Sequence, residues 1–363
     1  MGPPRFSAPF RLDDSRPPRR IRRTSNRSAI KARPEPHSLL RRTFGIALKL
    51  ATPPRAPSTT APGRPALPGT RPLGTGETHS HHRTLDEGVV RGEFLDVGGA
   101  RLYYYAAGTR GGGGEPLVLI HGFPTASHLW QELVPLLPEG RRVVVFDLLG
   151  YGRSDPPGDL PLDIKAHADR LLVLLDLLGI NRACLIGHDV GGGIAQAVAV
   201  RAPHRVSHLC LISSVGFDDW PSREVKMARA TLPLTRHLPA TWLLSVLKTD
   251  LARGYVDPDL AARSIDRYVR SFSTPAGRDL LVAHLEALQP ADTLEIGARL
   301  GAVPAPTAII HGAHDPFLSI AAARRLHHAI RGSTLEIIES GRHFLPEESP
   351  DRLTELIAEL LER

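Results

Sequence analysis

The sequence predicts an α/β protein with a mostly parallel central sheet that is flanked by helices and carries an inserted helical lid. Three observations predict this class. Short apolar segments alternate with stretches of helical periodicity. Charged and polar side chains collect where the apolar segments end. A long stretch with helical content and scattered aromatic residues interrupts the alternation before its last two strands.

The strand predictions begin with a hairpin. The segments "GEFLDV" and "ARLYYYAAG" alternate with period two and flank Gly98-Gly99, which is typical of two antiparallel strands. Six further segments are short, rich in β-branched residues and almost continuously apolar, as parallel strands buried on both faces are. They read "PLVLIHG", "RRVVVFDLLG", "ACLIGHD", "HLCLISS", "TAIIHGAHD" and "STLEIIES".

Helices are expected between several of these strands. From Asp163 to Leu178 the apolar residues fall on one stripe, and a second helix is expected from Ile194 to Val200. Strands that alternate with helices form parallel sheets with right-handed crossovers, and ligands bind at the carboxyl ends of such strands. We therefore expect the functional site at that edge of the sheet.

Residues 216–298 are predicted to form the lid. Lids of this kind exclude water and shape the substrate site. Trp220, Trp242, Tyr255 and Tyr268 are candidates for the wall that faces the substrate. Each of them could equally belong to the core of the lid, because helical spacing does not separate the two roles.

The chain divides by composition into an extension, residues 1–87, and one α/β domain, residues 88–363. Residues 1–85 hold 17 of the 45 Lys and Arg residues but 4 of the 38 Asp and Glu residues, so they carry a net charge of +13 and the remainder carries −6. Such a proline-rich, basic segment cannot bury enough apolar surface to fold, and we predict that it is disordered. It could also be an export or transit segment, or a basic binding arm.

The sequence implies no cofactor. It has no metal-ligand cluster, phosphate loop or dinucleotide fingerprint, and no apolar stretch of about 18 residues that would span a membrane. Cys184 and Cys210 lie within apolar runs, which is typical of buried thiols in a reducing compartment. We expect a cytoplasmic protein that binds a small apolar organic substrate and water, with no metal and no nucleic-acid partner.

The strongest motif is "CLIGHDVGGG", in which a charged residue ends an apolar strand and is surrounded by glycines. Gly187-x-Asp189-x-Gly191 has the small-x-nucleophile-x-small form of a nucleophile elbow, a sharp turn from strand to helix. The N–H groups and the dipole at the start of a helix stabilise a carboxylate there. A simpler interpretation is that Asp189 is only the N-cap of the helix.

Five motifs occur in the order "HGFPTASHLW", "DLLGYGRSD", "GHDVGGG", "HGAHDPFL" and "GRHFLPEE". With them, the chain from about Gly92 to Arg363 resembles the α/β-hydrolase fold family. Within that family it is similar to the branch with an aspartate nucleophile, which includes epoxide hydrolases and haloalkane dehalogenases. The resemblance implies a catalytic triad of Asp189, His343 and Asp315.

The resemblance also implies the chemistry of this triad. A carboxylate is suited to displacing a leaving group at an sp3 carbon, which gives an alkyl-enzyme ester on Asp189 that a water activated by His343 hydrolyses. The backbone N–H groups of Phe123 and Val190 would form the oxyanion hole. Asp315 would orient His343, and one of the two aspartates at positions 218 and 219 could take this role instead.

The leaving group stays open at this point. An epoxide hydrolase is favoured, because "HGFP" is its common form and Tyr255 and Tyr268 are available to protonate the epoxide oxygen. A haloalkane dehalogenase is the second possibility, although Val190 and Phe123 hold its usual halide-binding positions and only Trp242 in the lid would serve. The chain could also be an ester-type hydrolase, or a non-catalytic scaffold that binds a small molecule.

Overall fold

The structure is a computed structural model, and it describes residues 92–108, 113–235 and 237–363. The extension predicted for residues 1–87 lies outside the described residues. The hypotheses of an export segment, a transit segment or a binding arm concern the same residues and lie outside them as well.

The described part of the chain forms an eight-stranded sheet with the order β1-β2-β4-β3-β5-β6-β7-β8. Strand β2 is antiparallel to β1 and β4, and the other neighbouring strands are parallel. The predicted α/β class with a mostly parallel sheet is confirmed. The strands are β1 Gly92–Asp96, β2 Arg101–Ala107, β3 Leu117–Ile120, β4 Val143–Phe146, β5 Ala183–Asp189, β6 Val206–Ser214, β7 Thr307–Gly312 and β8 Thr334–Ile338.

Helices cover the sheet and fill the connection between β6 and β7. The α-helices are α1 Ile164–Leu177, α2 Val190–Arg201, α3 Arg223–Thr235, α4 Ala240–Ala252, α5 Pro258–Val269, α6 Pro275–Ala287, α7 Ala291–Gly297, α8 Ile320–Ala329, α9 Leu345–Glu348 and α10 Pro350–Leu361. Short 3-10 helices are Ser127–Trp130, Val134–Leu136, Pro203–Arg205, Arg270–Phe272 and Leu300–Ala302.

The central strands are apolar on both faces because both faces of the sheet are covered. Val118 and Ile120 of β3 belong to one apolar cluster, and Leu117 and Leu119 belong to the cluster on the other side. All four side chains are fully buried. Successive residues of a strand point to opposite faces, so a continuous apolar run is what a doubly covered strand requires.

The two helices predicted from the sequence are present. Helix α1 begins after Asp163, whose carboxylate accepts a hydrogen bond of 2.9 Å from the Ala166 N–H as its N-cap. Helix α2 begins at Val190, four residues before the predicted start. Its first turn contains three glycines, which have low helix propensity, so periodicity alone placed the start too late.

The connection between β6 and β7 contains the five helices α3–α7. Helix α4 contacts α5, and α3 contacts α6. Side chains of this connection join the apolar clusters on both sides of the sheet, with Trp220 in one and Tyr268 in the other. These helices are the predicted helical insertion, and their residues meet the carboxyl ends of the strands.

In the part of the chain that the structure describes, no helix is both long enough and apolar enough to cross a lipid bilayer.

Candidate active site

Asp189 occupies a sharp turn between β5 and α2. Its backbone has φ of 52° and ψ of −120°, which is a left-handed conformation that non-glycine residues rarely adopt. Its side chain makes no capping hydrogen bond to α2. The turn therefore presents the carboxylate away from the helix it starts, which disfavours the interpretation of Asp189 as a plain N-cap.

Glycine is required around this turn by close backbone contacts. A Cβ atom at Gly187 would lie 2.4 Å from the carbonyl oxygen of Gly191, and one at Gly191 would lie 2.1 Å from that of Ile120. A Cβ atom at Gly122 would lie 2.6 Å from the Oδ2 atom of Asp189. These positions are therefore glycine because the elbow leaves no space for a Cβ atom.

The Asp189 carboxylate is buried against backbone donors. The Phe123 N–H donates to its Oδ2 atom over 3.0 Å, and the Val190 N–H lies close enough to lower its pKa. Burial raises the pKa of Asp189 to about 6, against the opposing effects of His343 and of the two N–H groups. The donors that were expected to form an oxyanion hole thus already face this carboxylate.

His343 and Asp315 form a buried pair. The Nδ1 atom of His343 lies 2.8 Å from the Oδ2 atom of Asp315, whose other oxygen accepts from the N–H groups of Phe317 and Leu318 over 2.8 and 3.0 Å. Burial alone would lower the pKa of His343, but Asp315 and then Asp189 raise it above its ordinary value. An Nδ1–H held by a carboxylate leaves Nε2 as the basic nitrogen.

The two aspartates that could have replaced Asp315 lie elsewhere. Asp218 and Asp219 both bind the guanidinium of Arg325, over 2.6 and 2.9 Å. Of these three carboxylates, Asp315 is the one that contacts His343.

The segment around His343 is hydrogen-bonded to the helical insertion between β6 and β7. The His343 N–H donates to the Gly254 carbonyl oxygen over 3.0 Å. The guanidinium of Arg342 donates to the carbonyl oxygens of Arg253 and Tyr255 over 2.9 and 3.0 Å. The motif around His343 predicts no role for Arg342, because its partners on the lid are far away in the chain.

Tyr255 and Tyr268 lie together, with their hydroxyls near Glu347. The Tyr255 hydroxyl donates to one Glu347 oxygen, and the Ser264 hydroxyl donates to the other over 2.7 Å. The Tyr268 hydroxyl is buried nearby, close enough for Glu347 to affect its pKa but outside good hydrogen-bond geometry. Burial, followed by Glu347, raises the pKa of both tyrosines above 10.

A small cavity lies next to the elbow and holds about one water-sized molecule. Its apolar lining is Leu148, Leu162, Ile164, Val190, Ala287 and Leu288, and its other lining residues are Tyr151, His167, Trp220 and His284. Of the two lid tryptophans predicted to face the substrate, Trp220 lines this cavity, with its indole N–H 2.6 Å from the Thr293 hydroxyl. Trp242 is half-buried near the start of α4 and does not belong to this lining.

Tyr151, His121 and His284 complete this side of the site, and the sequence analysis assigned no role to Tyr151 or His284. The Tyr151 ring lies 3.9 Å from the His284 ring and 5.2 Å from the His121 ring, measured between centroids. The Nε2 atom of His121 accepts from the Leu148 N–H over 2.9 Å, so Nδ1 carries the proton and donates to the Gly122 carbonyl. The position of Tyr151 just after a strand was the available signal.

Within residues 92–108, 113–235 and 237–363, no group of three or more His, Cys, Asp or Glu residues is arranged to hold a metal ion.

Comparison with known proteins adds the family context. Residues 115–350 match the family model described as alpha/beta hydrolase fold. The 2-hydroxymuconate semialdehyde hydrolase of Pseudomonas sp. (strain CF600) is 30% identical over 271 residues, which cover 69% of this chain and 88% of that protein.

Solved structures are similar over most of the described chain. The enol-lactonase from Burkholderia xenovorans LB400 has a TM-score of 0.64 and 25% identity, covering 75% of this chain and 100% of that one. The epoxide hydrolase CorEH has a TM-score of 0.65 and 22% identity, covering 75% of this chain and 98% of that one. At this identity the second likeness concerns the fold alone.

Proposed function

The chain belongs to the alpha/beta hydrolase fold family and is an enzyme of that fold, and we propose that it hydrolyses small uncharged epoxides through an alkyl-enzyme ester on Asp189. The observation that carries the proposal is the buried Asp189 carboxylate at the elbow, which accepts from the Phe123 N–H. The semialdehyde hydrolase, the enol-lactonase and the epoxide hydrolase described above are named as enzymes, so they give no support to a non-catalytic scaffold.

The first half of the proposed reaction is alkylation. An oxygen of Asp189 attacks a carbon of the epoxide ring, the ring C–O bond breaks, and its electron pair stays on the departing oxygen. Protonation of that oxygen completes a hydroxyalkyl ester. The pKa of about 6 keeps Asp189 mostly ionised at neutral pH, so the nucleophile is available without a separate base.

The second half is hydrolysis of the ester. His343 removes a proton from water through Nε2 while Asp315 stabilises the resulting cation. The hydroxide attacks the Asp189 carbonyl carbon, and the N–H groups of Phe123 and Val190 stabilise the negative charge that forms there. Departure of the alcohol regenerates the carboxylate and gives a diol.

Attack at a carbonyl is the less suitable chemistry for this nucleophile. The names of the relatives, a semialdehyde hydrolase and an enol-lactonase, describe carbonyl substrates. The elbow motif of acyl-transferring members carries a serine where this chain has Asp189. A carboxylate that attacks an ester forms a mixed anhydride, which is more reactive than the ester it replaces. Formation of such an intermediate is therefore unfavourable and does not assist hydrolysis.

The lining of the cavity supports an uncharged substrate. None of the lining residues is an Asp, Glu, Lys or Arg, and six of the ten are apolar. A carboxylate group, such as the name 2-hydroxymuconate describes for the relative, would find no cation there to offset its desolvation. A small epoxide with an apolar substituent meets no such cost.

A dehalogenase would need N–H donors directed at the halide, and the two lid tryptophans do not offer a free indole N–H at the cavity. A departing halide needs N–H groups directed at it. The lining tryptophan, Trp220, donates its indole N–H to Thr293, and Trp242 is outside the lining. Opening an epoxide requires a proton for the departing oxygen and no halide-binding site. This difference favours an epoxide over a haloalkane as the substrate.

Trapping the ester tests the proposal. We expect His343→Gln to accumulate the alkyl-enzyme, because alkylation needs only Asp189 and hydrolysis needs the base. Incubation of this variant with styrene oxide should raise its intact mass by one equivalent of the epoxide, and peptide mapping should locate the added mass on Asp189. The wild-type protein should release the diol and show no stable adduct.

The double variant with Asp189→Asn is the matched control and should gain no mass. An adduct that forms from 1-bromobutane but not from styrene oxide would assign a dehalogenase instead. If neither reagent adds mass to His343→Gln, attack at an sp3 carbon is wrong for this enzyme.

A further inference from the structure

Opening an epoxide requires an acid beside Asp189. The inference about which residue is this acid rests on the proposed function. The alkoxide that forms must receive a proton as the ring opens. The Tyr255 hydroxyl is already committed to Glu347, and the Tyr268 hydroxyl is buried near the same carboxylate. A different hydroxyl, that of Tyr151, lies on the elbow side of the site.

Tyr151 shares the cavity with the elbow. It is 6% exposed and lines the cavity together with Val190, the residue that directly follows Asp189 at the elbow. Its ring is fixed by the rings of His284 and His121, at 3.9 and 5.2 Å between centroids. A ring held on two sides keeps its hydroxyl in one place, which a proton donor requires.

The hydroxyl of Tyr151 is free to meet a substrate. No residue in the described ranges forms a hydrogen bond with it, although it is close enough to Asp189 for that carboxylate to act on its pKa. Burial, and then the charge of Asp189, raises the pKa of Tyr151 well above 10, so the group carries its proton throughout the neutral range. A protonated hydroxyl that has no hydrogen-bond partner of its own is available to donate to a substrate oxygen.

We propose that Tyr151 is the acid that protonates the epoxide oxygen while Asp189 attacks the ring carbon. The hydroxyl of Tyr151 holds the oxygen, and the carboxylate approaches the adjacent carbon from the other side.

The protons of the full cycle balance. In the first step the Tyr151 O–H bond breaks, its proton joins the alkoxide oxygen, and Tyr151 becomes a phenolate. In the second step His343 takes a proton from water and becomes a cation as the ester is hydrolysed. Transfer of that proton from His343 to the phenolate restores both groups, and the net reaction is epoxide plus water to diol.

The experiment measures the rate of alkylation in the His343→Gln background, where the adduct accumulates. We expect Tyr151→Phe to slow the gain of mass from styrene oxide about 100-fold or more, the range for loss of a general acid. Phenylalanine retains the ring between the two histidines. The styrene oxide concentration that gives half the maximal rate should therefore change less than about twofold, and a merely structural role would shift it along with the rate.

Tyr105→Phe in the same background is the matched control, since Tyr105 is a buried tyrosine on β2 outside the cavity lining. Its alkylation rate should equal that of the parent. An equal rate in the Tyr151→Phe variant would overturn the assignment of Tyr151 and leave the proposed function standing. Slowing by Tyr255→Phe or Tyr268→Phe instead would assign the acid to the lid pair. Absence of any adduct in the parent would refute the proposed function itself.

Discussion

Asp189 combines three features that are each unfavourable for folding. Its backbone is left-handed, the residue is only 9% exposed, and its carboxylate is expected to be charged at neutral pH. Raising the pKa of a carboxyl from 3.8 to about 6 costs about 3 kcal/mol of folding free energy at neutral pH. A residue that serves only to stabilise the fold would not be placed in this environment.

Removal of this charge should stabilise the protein. We expect Asp189→Asn to increase the free energy of unfolding at pH 7 by about 1–3 kcal/mol. The folded state raises the pKa of Asp189, so its penalty is absent below the unfolded pKa of 3.8 and grows as pH rises to about 6. The gain should therefore be mostly lost at pH 4. Urea denaturation of both proteins at the two pH values measures it.

Asp155→Asn is the control, because the folded state lowers the pKa of this surface carboxyl instead of raising it. The Arg101 guanidinium hydrogen-bonded to Asp155 lowers the pKa of that carboxyl, so its substitution should bring no gain in stability at pH 7. A stability gain for Asp189→Asn that is the same at pH 4 and pH 7 would show that desolvation of the charge is not its cause.

At the scale of elements, the segment that carries His343 depends on the lid. Gly254, at the end of α4, accepts from the His343 N–H, and Arg342 bonds the carbonyls on either side of Gly254. These bonds connect the loop after β8 to the connection between α4 and α5. The position of His343 is thus set partly by residues that lie about 90 positions earlier in the chain.

Loss of the Arg342 contacts should loosen this connection. We expect Arg342→Ala to lower the free energy of unfolding by about 1–3 kcal/mol, since it removes two hydrogen bonds from a charged donor. Amide hydrogen exchange at residues 254–256 should become faster, and diol formation should slow several-fold because His343 loses its support.

Arg352→Ala is the control for this prediction. Arg352 forms ion pairs with Glu336 and Glu355, and neither partner belongs to the lid. Its substitution should leave exchange at residues 254–256 unchanged. Unchanged exchange in Arg342→Ala as well would mean that the two carbonyl contacts do not hold the segment.

The strength of the pattern in each element decided what the sequence could predict. Strands β3 and β4 were predictable because burial on both faces makes the whole segment apolar. The bounds of the lid helices were not predicted, and α3 even contains a proline, Pro233, which sequence patterns treat as a helix breaker. The pairing of Tyr255 with Glu347 joins residues 92 positions apart, so only the tertiary structure reveals it.

At the scale of the whole molecule, the sheet topology assembles the site. Phe123, Asp189, Asp315 and His343 follow β3, β5, β7 and β8, and these strands run parallel within one sheet. Parallel strands bring their carboxyl ends to one edge, so residues spread over the chain meet there. This geometric rule is why the reactive residues were predictable, whereas Tyr151 was not distinguished from other residues near a strand end.

The distribution of charge also belongs to this scale, and it leads to the last prediction. Residues 1–85 carry a net charge of +13 and the rest of the chain carries −6, so the basic character of the protein resides in the extension. The first described strand, β1, begins at Gly92. We expect a variant that starts at residue 88 to keep its free energy of unfolding within about 0.5 kcal/mol, and to keep the same rate of diol formation, because it keeps all eight described strands of the sheet.

A variant that starts at residue 98 is the matched control for this truncation. It also removes β1, which pairs with β2 at the edge of the sheet, and should therefore lose stability. Urea denaturation and product assays on the three proteins compare the two cuts. Failure of the variant from residue 88 to fold, or a rate more than about tenfold lower, would show that the extension contributes to the enzyme and that its predicted disorder is wrong.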